Sequence, residues 1–74
     1  MFEKFEEMFW MVGKRHNLLD WWDIFDSKVF DEVCEAIAFN NGWARCQSDE
    51  DWEDVCRHNS AAFVEWIHEL SDEL

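Results

Sequence analysis

Three cysteines, three histidines and eighteen carboxylates are the side chains in these 74 residues with the means to do chemistry. Cys34, Cys46, Cys56, His16, His58 and His68 are ligands of the right type for zinc. A structural zinc site draws on close pairs such as Cys-x-x-Cys, and the chain has none. Cys56 and His58 stand two apart, on opposite sides of a helix. Glu65 and His68 have the Glu-x-x-His spacing of di-iron bundles, but the long helices and the second copy that such a centre needs are missing. The run Asp49–Asp54, "DEDWED", lacks the glycine and the closing glutamate of a calcium loop. No metal and no cofactor are expected. Nucleophilic catalysis has as little to work with. The serines fall at helix caps or in the tail, without a glycine-flanked elbow. Asp54 and His58 are an i,i+4 surface pair rather than part of a triad. Glycine occurs only at Gly13 and Gly42, so no phosphate-cradling loop exists. The chain reads as a non-enzyme.

The carboxylates are the exceptional feature. Eighteen acids face six lysines and arginines, for a net charge of −12. Direct nucleic-acid binding needs a basic face and an anionic membrane surface repels such a chain, so neither is an expected partner. No apolar run approaches the roughly 18 residues of a membrane span. The acids come in clusters: Asp20, Asp23 and Asp26; Asp31, Glu32 and Glu35; Asp49, Glu50, Asp51, Glu53 and Asp54. Acids three or four apart on a helix stack about 5.4 Å apart, one turn. Such ladders can stand in for the phosphates of a nucleic acid and occupy a basic groove meant for it. The bland alternative is a solvated face, but self-repulsion among so many acids costs stability, and a basic partner would relieve it.

Trp10 and Phe39 add to this. Helical spacing places both on acid-bearing faces, and an aromatic ringed by charge is typical interface anatomy. The candidate partner-binding residues are therefore Trp10, Asp20, Asp23, Asp31, Glu32, Glu35, Phe39, Asp49, Glu50, Asp51, Glu53 and Asp54. In size, acidity and lack of active-site residues the chain resembles the phage and mobile-element DNA mimics that block restriction or CRISPR machinery. That resemblance is one of composition, covers no motif and transfers no residues. It implies a small acidic inhibitor whose partner is a basic, nucleic-acid-binding protein. The competing expectation is a helical adaptor or regulatory subunit that binds through its exposed aromatics, with homodimerisation possible.

The elements that must position these groups are helices. The chain has no proline, threonine or tyrosine and few β-branched residues, while 49% of it is hydrophobic with six Trp and seven Phe. A chain of this length buries only about 60% of its unfolded surface, so a rich core is needed. The pattern predicts one small all-α domain over 1–74, a bundle of three to five helices. A first helix, about 2–12, presents Phe2, Phe5, Met8, Phe9 and Val12, and Gly13 stops it. Asn17 caps a short piece whose apolar arc is Leu18, Trp21, Trp22 and Phe25. Asp26 or Ser27 caps a third helix carrying Val29, Phe30, Val33, Cys34 and Ile37, which Asn40–Gly42 ends. Ser48 and Asp51 form a capping box. Trp52, Cys56, Asn59, Phe63, Trp66 and Leu70 then follow spacings of 4, 3, 4, 3 and 4, which favours one long helix over 49–71; a break at His58–Ser60 is the alternative. The odd cysteine count and an acidic first turn predict reduced thiols and a cytoplasmic protein.

Overall fold

The structure, a computed structural model, describes residues 2–43 and 51–72. Five helices follow in order: α1 (Glu3–Arg15), α2 (Trp21–Phe25), α3 (Val29–Asn40), α4 (Trp52–Asn59) and α5 (Ala61–Asp72), with no strand among the described residues. The expected all-α bundle is the observed architecture. Its centre is α3, which packs against α1, α2 and α4, while α5 packs against α4. Most of the predicted stripe of α3 is core: Val33, Cys34 and Ile37 are fully buried, Phe30 nearly so and Val29 half-buried, while Ala38, outside that stripe, is fully buried too.

Rings close the remaining gap between α1 and α5. Trp66 lies 5.4 Å from Phe5, 6.0 Å from Phe9, 6.3 Å from Phe30 and 5.6 Å from Phe63, centroid to centroid. Aromatic side chains bury more area than any others, and tilted or edge-on pairs add about 0.5–1.5 kcal/mol each. A short chain with few residues to bury gains most from such contacts.

Both long N-terminal helices end in the same device. After α3, Gly42 takes φ +71°, the Trp43 N–H donates to the Ala38 carbonyl at 2.9 Å and the Gly42 N–H to that of Phe39 at 3.2 Å. After α1, Asn17 takes φ +60°, the Leu18 N–H donates to Gly13 O at 2.9 Å and the Asn17 N–H to Lys14 O at 3.0 Å. A left-handed residue followed by these two bonds is a Schellman end, which Gly and Asn adopt at least cost.

Several local expectations are corrected. Gly13 does not stop α1; it is a buried member of the helix. A Cβ there would overlap Ile24 Cδ1 and Cγ1 and lie 3.3 Å from the Leu18 carbonyl oxygen, so glycine is needed to let α2 approach. Asn17 terminates α1 rather than capping α2, whose cap is Asp20: its Oδ1 accepts from the Trp22 N–H at 2.8 Å. Within α2 the residue driven inward is Ile24, fully buried, while Trp22 is among the exposed apolar residues. Finally, the long C-terminal helix is two helices. Ser60 adopts φ −150°, ψ 116°, and its Oγ accepts from the Phe63 N–H at 3.1 Å, capping α5. Asn59 folds back to donate to Val55 O at 2.8 Å and is exposed rather than set into an apolar stripe. A local cap here outweighs continuity of the apolar spacing. Ser48 lies outside the described residues, but Asp51 caps α4, accepting from the Asp54 N–H at 2.9 Å. The N-cap of α3 is Lys28 rather than Asp26 or Ser27 and makes no side-chain cap bond, although Ser27 Oγ just before it accepts from the Val29 N–H at 3.3 Å.

Gly13→Ala gives a sharp check on the α1–α2 contact. In an open helix this change stabilises by about 1 kcal/mol. Overpacking against a fully buried isoleucine costs about 1–3 kcal/mol, and here it should prevail. Urea unfolding should therefore show a net loss of roughly 1–2 kcal/mol; a gain would mean that the two helices are not in contact.

Candidate functional site

Every described acid is solvent-exposed except Glu35 and Glu53, which are half-buried, and no charged side chain among the described residues is buried. On α3, Asp31, Glu35 and Phe39 follow one another at i, i+4 and i+8, one ridge of the helix, with Glu32 beside them. Glu32, Glu35, Ala36 and Phe39 line a shallow cleft of about 360 Å³, bounded on the α1 side by Arg15. Phe39 is 66% exposed, yet its ring lies 5.3 Å from that of Trp52. The aromatic is thus held at its base and open at its tip, the anatomy of an anchor.

Two acids of this ridge also have internal partners. Asp31 Oδ1 accepts from the Trp52 N–H at 3.3 Å, so α3 supplies a carboxylate to the first turn of α4, where the helix dipole favours it. Glu32 Oε2 lies 2.7 Å from His16 Nε2 at the end of α1. Glu53 is similarly occupied, receiving Arg57 Nε at 2.8 Å and Nη2 at 2.7 Å one turn along α4.

The fold also joins acids that the sequence separates. Asp26, Asp31, Asp51 and Glu53 line one surface cleft of about 410 Å³ at the α3–α4 seam, with Phe25, Phe30 and, among the described residues, one cation, Lys28. Asp31 thus belongs both to the α3 ridge and to the cleft shared with the start of α4. Asp20, Asp23 and Asp54 are exposed but line neither cleft. Asp49 and Glu50 lie outside the described residues. Trp10 borders a separate pocket together with Glu6 and Glu69. Neither glutamate stood out in the sequence, because their meeting depends on how α1 and α5 pack.

The chemistry available to these acids is electrostatic. Among the described residues no three His, Cys, Asp or Glu side chains converge as a metal ion would require. The acids are spread along a surface instead of aimed at a point. No helix among the described residues is long and apolar enough to cross a membrane. Cys34 and Cys56 are free and buried, as their places on apolar stripes predict; Cys46 lies outside the described residues. Cys56 Sγ donates to the Cys34 carbonyl at 3.3 Å. The Cys34 thiol is pushed far up from its ordinary value, first by its hydrogen bond with Cys56 and then by burial, with Glu53 and Asp31 adding to the effect.

A folded-state thiol value raised above the unfolded one stabilises the fold below the ordinary value of 9.0 and withdraws that stability above it, since only the unfolded chain can then ionise. Stability in urea should fall as the pH climbs past that point. Over the same range Cys34 should resist alkylation in the native state and react at once in denaturant. Equal labelling rates in the two states would contradict its burial. No family model matches the chain, and no curated protein or solved structure is significantly similar to it.

Proposed function

We propose that this chain is a small acidic, non-enzymatic inhibitor that binds a basic, nucleic-acid-binding surface of a larger protein, in the manner of the DNA mimics by which phages and mobile elements counter restriction or CRISPR defences. The observation that carries this reading is the meeting of Asp31 on α3 with Asp51 and Glu53 of α4 in one surface cleft, on the helix that also carries the half-anchored Phe39. A surface of that kind meets lysines and arginines spaced to hold successive phosphates. Its cost supports the reading too. Net charge of −12 on 74 residues opposes compaction, and the partner's cations would offset the repulsion. Complementary charge would speed encounter and select the partner, and Phe39 would slow dissociation.

The experiment is capture of partners from host lysate on the immobilised chain at low and at high salt. The expected result is a nucleic-acid-binding protein held at low salt and released at high salt, because exposed charge pairs are screened beyond about 8 Å at physiological ionic strength. A partner held equally well at both salts would favour the adaptor reading. That alternative rests on a specific feature, the exposed aromatics Phe39 at 66% and Trp10 at 36%. There the aromatics would do the binding and the acidity would serve solubility.

A further inference from the structure

Away from the acidic face, α1, the start of α2 and α5 enclose a pocket of about 130 Å³ lined by Glu6, Phe9, Trp10, Trp21, Trp66, Glu69 and Leu70. Its described lining joins two indoles with open surface, Trp10 and Trp21, to two carboxylates above the buried Trp66, and among the described residues it contains no cation. Glu6 and Trp10 share one ridge of α1 at i,i+4; Trp66 and Glu69 share one of α5 at i,i+3. The Trp10 and Trp66 ring planes stand at 88° and 86° to that of Phe9, with centroids 5.1 and 6.0 Å away. Phe9 is 1% exposed and Trp66 2%, whereas Trp10 is 36% exposed. The buried rings therefore form the inner end and Trp10 the rim. Glu6 and Glu69 both line this space and are solvent-exposed, so both carboxylates can meet a cation that enters it.

We propose that this pocket binds the guanidinium group of an arginine side chain. The proposal rests on the reading above, that the partner surface is basic, and assigns a second point of attachment to it. Indole faces attract cations through their quadrupole, and tryptophan does so best. Guanidinium suits this site better than ammonium: it is planar, weakly hydrated, stacks on aromatic faces, and presents a fork of donors to carboxylates. Size agrees, since cavities of about 150 Å³ accept benzene, a planar group of similar bulk. A lysine would have to give up a tightly held hydration shell in the same space. Trp10 is left 36% exposed at the rim, where an entering guanidinium would cover it.

The test uses the intact chain and Nα-acetyl-arginine methylamide as probe, read by the six indole N–H signals in proton–nitrogen NMR spectra. Saturable shifts should be largest at Trp10 and Trp21 and absent at Trp43, with affinity near the millimolar range expected for one side chain. The citrulline analogue, which keeps the shape and lacks the charge, should give no saturable shift. Trp10→Ala and Glu6→Gln should each weaken binding by about three- to tenfold, whereas Glu65→Gln, an equal loss of charge elsewhere on α5, should not. Trp10 is half out of the core, so its variant should fold; if its spectrum shows otherwise, Glu6→Gln carries the comparison. Equal shifts with arginine and citrulline probes, or shifts spread over all six indoles, would overturn the assignment. Tighter binding of tetramethylammonium than of the arginine probe would overturn it as well, by making the pocket a site for alkylated ammonium. Failure here is separable from failure of the proposed function. Salt-sensitive capture of a basic partner without arginine binding would remove the pocket alone. Arginine binding without any such partner would remove the polyanion reading alone.

Discussion

Trp66→Ala should leave the chain largely unfolded near physiological temperature. Trp66 is 2% exposed and touches four other rings, from Phe5, Phe9, Phe30 and Phe63. Truncating a buried tryptophan costs about 3–5 kcal/mol through lost burial and the cavity left behind. Four lost ring contacts place this site at the upper end of that range. At roughly 0.05–0.15 kcal/mol per residue a domain of this length holds about 4–11 kcal/mol in all, and a small one belongs near the bottom. Each kcal/mol shifts the melting temperature of so small a domain by about 4–8 °C. A loss of some 20–40 °C in a far-ultraviolet circular dichroism melt is the expected outcome. Trp22→Ala, at an exposed site, should cost less than about 1 kcal/mol. Equal losses for the two tryptophans would refute the assignment of Trp66 to the centre of the core.

The second large effect concerns association with a basic partner. Asp31→Asn, Glu32→Gln and Glu35→Gln together remove three charges from α3 while keeping an acceptor oxygen at residue 31 for the Trp52 N–H. Electrostatic steering raises association rates by about 10- to 1,000-fold, so losing a quarter of the net charge at the contact should slow association at low salt about three- to tenfold. Dissociation should change less, and the difference should shrink as salt is added. Phe39→Ala should behave in the opposite way, with faster dissociation and little dependence on salt. The adaptor reading expects the Phe39 effect to dominate; a merely solvated face expects neither. A solvated face also predicts a small gain in stability for the triple variant from relieved repulsion. The lost Glu32–His16 pair offsets part of that gain, by no more than about 1 kcal/mol at so exposed a site. Stopped-flow association at two salt concentrations distinguishes the three.

What was legible in the sequence follows from the range of the interactions involved. The core of α3 could be read directly, because Val29, Phe30, Val33, Cys34 and Ile37 keep the helical period and Asn40–Gly42 supplies a local stop. The role of Gly13 could not. A glycine late in a helical run fits either a stop or a close approach, and Ile24, which decides between them, is brought there by tertiary packing. Five residues of α2 are too few for periodicity to tell Ile24 from Trp22. The spacing from Trp52 to Leu70 carries across the polar Asn59 because two successive helices face the same core, and the hydrogen bond from the Phe63 N–H to Ser60 Oγ marks the break there.

The candidate face divides along the same line. That the acids are exposed was readable from spacing and charge. That Asp31 serves α4 and Glu32 meets His16 was not, since those partners lie 21 and 16 residues away. Nor could the sequence join Asp31 to Asp51 and Glu53, or bring Glu6 and Trp10 to Trp66 and Glu69, across helices that meet only in the fold.

Competition with nucleic acid tests the central claim most directly. The basic protein captured at low salt is purified, bound to the labelled chain, and titrated with duplex DNA at constant ionic strength. If the acidic face takes the place of phosphates, DNA should displace the chain completely, with a midpoint that tracks the partner's own affinity for DNA. A ternary complex, in which the labelled chain stays bound while the partner holds DNA, would contradict the claim.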